Sequence, residues 1–276
     1  LRVALLSYRG NPFSGGQGVY VRHLSAALAG EGHEVTVFAG QPYPQLEEGV
    51  RLVKVPSLDL YRAGDPFRTP GIREFRDWID ALEFAHLCTA GFPEPLTFSL
   101  RMRRLLLAER DSFDIVHDNQ CLGWGMLSLL RAGVPMVASV HHAVVIDRDL
   151  ELARERRLRR RLSLRRWYQF HHMQDTVAQR MPRVLTVSEQ SRRDIVDRMG
   201  VDPRRIRVIP VAVDDSLFAP QPAVQRVPGR IFAVASSDVS LKGVVPLLHA
   251  VAALRRTHDV ELVLLGEARR GGAAAR

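Results

Sequence analysis

Cysteine is scarce: the 276 residues hold two, Cys88 and Cys121, too far apart and too few for a disulfide framework or a zinc-ligand spacing. A reducing compartment, the cytoplasm, is expected. Aromatics make up only 7% of the chain. No apolar run approaches the ~20 residues of a membrane-spanning helix. The opening stretch from Leu1 to Tyr8 carries no basic leader followed by a long apolar core, so no secretory signal is expected. Acidic charge is outnumbered, leaving a net +9, but the excess is local. Arg154 to Arg166 contains eight arginines and one glutamate and supplies +7 of it. One basic face is therefore expected rather than a groove for a polyanion, and no nucleic-acid partner.

What is present is an α/β alternation. The run from Leu1 to Ser7 suits a buried parallel strand, a loop with Pro12, Ser14, Gly15 and Gly16 follows, and apolar residues from Gly18 to Leu28 recur at helical spacing. Strands are predicted at Glu34–Ala39, Arg51–Val55, Asp114–His117, Val134–Val140, Val184–Val187 and Ile206–Ile209. Helices are predicted at Cys121–Arg131, over the long basic stretch Leu150–Gln179, and at Glu189–Met199. The prolines from Pro210 to Pro228 read as a connection. The expected division is an acceptor-side domain over 1–215 and the start of a second domain over 229–276, with a strand, a helix and a strand. That is too little to cover both faces of a parallel sheet, and with no initial methionine the chain reads as a fragment, so impaired activity is expected of it alone.

Glycines between strand and helix let backbone amides approach an anion or a sugar, which makes Gly15, Gly16, Gln17 and Tyr20 candidates. A tight turn would need the same glycines. A nicotinamide fingerprint fails, because Val21 stands where a third glycine would fall and the second strand ends in Ala39-Gly40 without an acidic residue.

Five segments in order, Gly15-Gly-Gln-Gly-Val-Tyr-Val-Arg-His-Leu, Gly32-His-Glu-Val-Thr-Val, Phe113-Asp-Ile-Val-His, Leu185-Thr-Val-Ser-Glu and Val208-Ile-Pro-Val-Ala-Val-Asp-Asp-Ser-Leu-Phe, resemble the family 4 retaining glycosyltransferases of the GT-B fold. The resemblance implies two Rossmann-like domains across a cleft, acceptor on the first and nucleotide-diphosphate sugar mainly on the second. No visible cluster of residues requires a metal, and no cofactor is expected beyond that donor substrate, with a glycan or lipid-linked acceptor.

His141 follows a predicted strand and so projects at its carboxyl end, where the resemblance implies contact with the donor sugar near the reacting carbon. His142 competes for that role. His117, with Asn119 just after it, is a weaker acceptor-side candidate. Lys242 and Gly243 precede a predicted helix and could meet the donor diphosphate, with Ser236 and Ser237 as further phosphate ligands. Ser237 stands where the family commonly has an arginine, so the two-cation clamp is not complete, and the family's later pair of glutamates has no counterpart, since Glu267 is too early. Alternatives are an epimerase or hydrolase of the same fold and a non-catalytic sugar-binding remnant. The basic stretch admits two readings. Leu158 and Leu162 pack on the sheet beneath solvated arginines, or they enter an anionic membrane at the inner face while the arginines meet lipid phosphates.

Overall fold

A computed structural model describes residues 1–12, 16–234 and 243–266 of the chain, which divides into two units, Leu1–Val211 and Ala212–Arg276. The first unit runs β1 (Arg2–Ser7), α1 (Gln17–Gly30), β2 (Glu34–Ala39), β3 (Arg51–Lys54), α2 (Trp78–Cys88), α3 (Glu94–Ala108), β4 (Ile115–Asn119), α4 (Trp124–Arg131) and β5 (Met136–Ser139). It continues with α5 (Val144–Arg154), α6 (Leu158–Trp167), α7 (Phe170–Ala178), β6 (Val184–Thr186), α8 (Glu189–Met199) and β7 (Ile206–Val208). The seven strands are all parallel, in the order β3-β2-β1-β4-β5-β6-β7. This is the α/β, Rossmann-like doubly wound sheet that the alternation implies, with its order reversing between β1 and β4.

Alternate residues of β1 feed two cores. Val3 and Leu5 pack with Val21, Val35 and Val37 on one face, and Ala4 and Leu6 join the larger cluster on the other. Every residue of β1 after Arg2 is buried, as a central parallel strand requires.

The long basic stretch is three helices rather than one. α5 ends at Glu155 and α6 starts after Arg157, both in extended conformation. Glu155 accepts the Arg157 amide at 2.8 Å, and the Arg161 guanidinium bonds the carbonyls of Leu152 and Glu155. Side chains thus satisfy groups that a continuous helix would have paired. Leu158 and Leu162 of α6 do not pack on the sheet, being 70% and 54% exposed.

The second unit contains β8 (Arg230–Val234), α9 (Val244–Leu254) and β9 (Glu261–Leu265), with β8 and β9 paired in parallel. Their residues alternate between exposed and half-buried.

Candidate active site

The carboxyl edge of the seven-stranded sheet near its reversal point gathers the groups of interest. After β1 the chain folds back so tightly that a Cβ at Gly18 would lie 2.2 Å from the Asn11 carbonyl oxygen, while Gly16 caps α1 with φ +75° and open space around it. Gly18 thus answers to packing, and Gly16 to the turn. Gly15 lies outside the described residues. Gln17, the first residue of α1, hydrogen-bonds the Tyr8 phenol, and one turn on, Tyr20 meets His141 edge-on, with ring centroids 4.6 Å apart.

His141 is held from three sides. Its amide donates to Gln120 Oε1 at 2.7 Å, its carbonyl accepts from Ser191 Oγ at 3.0 Å, and its Nε2 lies 2.8 Å from Asn119 Oδ1. Burial, helped by the adjacent His142, pushes the imidazole down to about 4. The ring is therefore neutral at pH 7, and Nδ1 is left to accept from a ligand hydroxyl. Ser191 belongs to α8, whose first turn is capped by Ser188 accepting the Ser191 amide, so the Thr-Val-Ser-Glu segment serves to anchor this histidine.

The clamp depends on a strained loop. Gln120 and Leu122 adopt left-handed φ values of 56° and 49°, and buried Asp118 holds the loop by accepting the amides of Cys121 and Leu122 at 3.0 and 2.8 Å. Burial raises that carboxyl to about 6. Its conformation aims Gln120 at both histidines, since Gln120 Nε2 also donates to the His142 carbonyl at 2.9 Å. Gln174 on α7 fixes the loop by donating to the carbonyls of Gln120 and Cys121. Such strain persists only where surrounding contacts over-determine it, and it clusters at functional sites.

The other candidates separate. His142 is exposed and pairs with Asp147 Oδ2 at 3.0 Å. His117 does not end a strand, because β4 runs two residues further, to Asn119. It is 6% exposed, bonded to Ser139 Oγ at 2.7 Å, and pushed down to about 4 by burial, so it is enclosed by the sheet rather than presented to a ligand. Asn119 is fully buried, and its Nδ2 has no hydrogen-bond partner among the described residues. Its place is behind His141, as an orienting group. In the second unit, Gly243 caps α9 with φ +69° and open space around it. Lys242, Ser236 and Ser237 lie outside the described residues.

Sequence reasoning missed Gln120, Ser191 and a buried acid, Glu94. At the start of α3, Glu94 is raised to about 8 by burial and lies 3.5 Å from Arg9, with its Oε2 making no hydrogen bond among the described residues. Arg9 also stands over the Tyr61 ring at 5.6 Å. Phe92 and Trp167 pack against Tyr61, and Phe67, 61% exposed at φ 64°, completes an aromatic shelf. Nothing in the spacing of these residues marks them, since three separate loops and α6 bring them together.

Parallel strands with a clamped histidine at the carboxyl edge define a Rossmann-like domain of the kind found in GT-B glycosyltransferases. Residues 14–217 match the family described as Glycosyltransferase Family 4, and the chain belongs to it. It is 55% identical over 266 residues to the MMP alpha-(1->4)-mannosyltransferase of Mycolicibacterium hassiacum, a match covering 96% of this chain and 64% of that protein. Among solved structures it resembles a sucrose-phosphate synthase from Thermosynechococcus elongatus, with a TM-score of 0.63 at 18% identity, covering 100% of this chain and 65% of that one. It also resembles WaaG, a glycosyltransferase involved in lipopolysaccharide biosynthesis, with a TM-score of 0.61 at 17% identity, covering 99% and 66%. These two likenesses speak to the fold. The chain spans about two thirds of the length of each of these proteins.

Proposed function

We propose that this chain is the acceptor-side part, with the beginning of the donor-side part, of an enzyme that moves a mannosyl group from a nucleotide-diphosphate donor to a glycan acceptor with retention of configuration. The observation that carries the reading is His141. It is neutral, locked by Asn119, Gln120 and Ser191, and placed at the carboxyl edge beside Tyr20, where a ring nitrogen can accept from a sugar hydroxyl. The mannosyl specificity rests on the 55% identity to a mannosyltransferase.

In this reading, Gly16, Gln17 and Tyr20 line the sugar side, Asn119 orients His141, and His142 with Asp147 forms the outer rim. The amides at the head of α9, beginning at Gly243, and the ammonium of Lys242 receive the donor diphosphate and stabilise its leaving charge. The departing phosphate then takes the proton of the acceptor hydroxyl as the new glycosidic bond forms on the face it leaves. No side-chain base is needed, and Asp118, the carboxylate nearest in sequence to Asn119, is already committed to two backbone amides. The test is transfer of labelled mannose by the intact protein from UDP-, GDP- and ADP-linked donors to neutral manno-oligosaccharides, with the product anomer read by NMR. An α product from an α-linked donor supports the reading. Donor hydrolysis without transfer, or epimerised donor, replaces it.

A second reading concerns α6, whose exposed Leu158 and Leu162 among arginines suit contact with an anionic membrane. Co-sedimentation with anionic but not zwitterionic vesicles, lost on changing Arg159, Arg160 and Arg161 to glutamine, supports it. No binding at low salt ends it.

A further inference from the structure

Away from His141, the helices α5, α6 and α7 border an open cavity of about 600 Å³ whose described lining carries Arg148, Arg165, Arg166, His171 and His172 and no acidic side chain. Its floor is ordered. The His171 side chain is 5% exposed, its Nδ1 lies 2.9 Å from Asp175 Oδ2, and its Nε2 faces the Arg148 guanidinium in hydrogen-bond contact. Arg148 is tied in turn to Asp149, which also pairs with Arg198.

Two chemistries fit histidines beside an aspartate. His171, His172 and Asp175 bring one ligand atom each within 4.8 Å of one another, the spacing of a metal site. The hydrogen bonds argue against a cation. With Nδ1 donating to Asp175 and Nε2 accepting from Arg148, His171 has no lone pair to give, and a guanidinium already stands on that side.

An anion meets the opposite situation. Arg166 is held only by neutral groups, Thr89 Oγ1 at 2.9 Å and Gln169 Oε1 at 3.1 Å, and Arg165 forms no ion pair among the described residues. Two guanidinium groups thus reach the cavity with their charge uncompensated. Burial first, and then the neighbouring His171, hold the His172 imidazole below its usual range, while Asp175 pulls the other way.

We propose that this cavity binds a phosphate-type oxyanion, held by the Arg165 and Arg166 guanidinium groups with His172, at a site separate from His141. Guanidinium forks match the paired oxygens of a phosphate, and the fixed Arg148–His171 floor leaves little to reorganise on binding. The phosphate belongs either to a soluble ligand or to the headgroup of an anionic lipid. Leu162 lines the same cavity, and Leu158, one turn earlier on α6, is exposed.

Calorimetric titration of the 276-residue chain with inorganic phosphate at low salt tests the site, alongside co-sedimentation with phosphatidylglycerol and phosphatidylcholine vesicles. Saturable phosphate binding is expected, weakened about tenfold by Arg165→Gln. His172→Gln, which leaves the charge of α6 intact, weakens it by a smaller factor. Arg51→Gln removes the same charge on β3 and leaves binding unchanged. Phosphate binding without vesicle binding assigns a soluble ligand. Binding to phosphatidylglycerol alone of the two vesicles, reduced by His172→Gln, assigns a lipid. The proposal is overturned if phosphate does not bind saturably, if Arg51→Gln weakens it as much as Arg165→Gln, or if zinc binds stoichiometrically and His172→Gln abolishes that binding.

Discussion

The two units build parallel strands from similar apolar residues and bury them very differently. In β1 and β2 every residue after the first is buried, because helices cover both faces of the sheet. In β8 and β9 alternate residues stay exposed, and Phe232, Val234 and Leu265 are each at least 60% accessible. A parallel strand of Val, Ile, Leu and Phe is stable only when both faces are covered. The first unit meets that condition, and the clamped histidine rests on it. The second, over its described residues, meets it on one face.

Substitution in the strands gives the largest contrast. Leu5→Ala in β1 should lose about 2–5 kcal/mol, as for deletions in a close-packed core, whereas Val234→Ala in β8 should stay within about 0.5 kcal/mol. Urea unfolding followed by circular dichroism measures both, and equal losses would break the comparison.

Glycines sharpen it at a smaller scale. Gly18→Ala pushes a methyl group onto the Asn11 carbonyl and should cost about 1–3 kcal/mol. Gly243→Ala meets open space and carries only the left-handed backbone penalty, about 1–2 kcal/mol. Thermal midpoints of the two variants rank them, and a larger loss at Gly243 would reverse the argument.

The pH dependence is smaller still and belongs to the first unit. Glu94, raised to about 8 when folded against about 4.3 unfolded, binds a proton in the native state that the unfolded chain has lost. Stability therefore falls as pH rises between those values. Asp118, raised to about 6, acts in the same direction up to that pH. His117 and His141, lowered to about 4, act oppositely, since below about 6.5 the unfolded chain takes up protons that the folded one refuses. His86 and His172, also lowered by burial, join them. These terms offset Glu94 in acid and fade between about pH 6.5 and 7.5, above which Glu94 dominates up to about 8, with a slope on the order of 1 kcal/mol per pH unit at most. Across pH 6.5–8 the denaturant midpoint of the natural sequence should fall relative to that of Glu94→Gln, in which the histidine contributions are the same. A constant difference between the two would place a counter-charge on Glu94 that Arg9 at 3.5 Å does not supply.

Much of this frame was legible in the residues, because strand–helix alternation and glycine placement are local signals. The position of His141 followed from the end of an apolar run, and its family role from the ordered motifs. His117 was misplaced because Asp118 and Asn119 are polar residues that continue β4, a burial that only the tertiary pairing with β5 explains. Gln120, Ser191 and Glu94 were invisible for the same reason, since their partners lie 21, 50 and 85 positions away. The basic stretch reads as one helix because no glycine or proline interrupts it, whereas side-chain bonds to the backbone end α5 at Glu155–Arg157.

The claim on which the rest depends is that His141, and not His142, meets the transferred sugar. Mannosyl transfer by the intact protein, measured for His141→Ala and His142→Ala beside their thermal midpoints, tests it most directly. The account predicts a loss of turnover on the order of 10²-fold for His141→Ala, with a midpoint within a few degrees of the natural protein, and a loss under about tenfold for His142→Ala. Equal losses in the two variants, or a His141→Ala loss matched by unfolding, would contradict it.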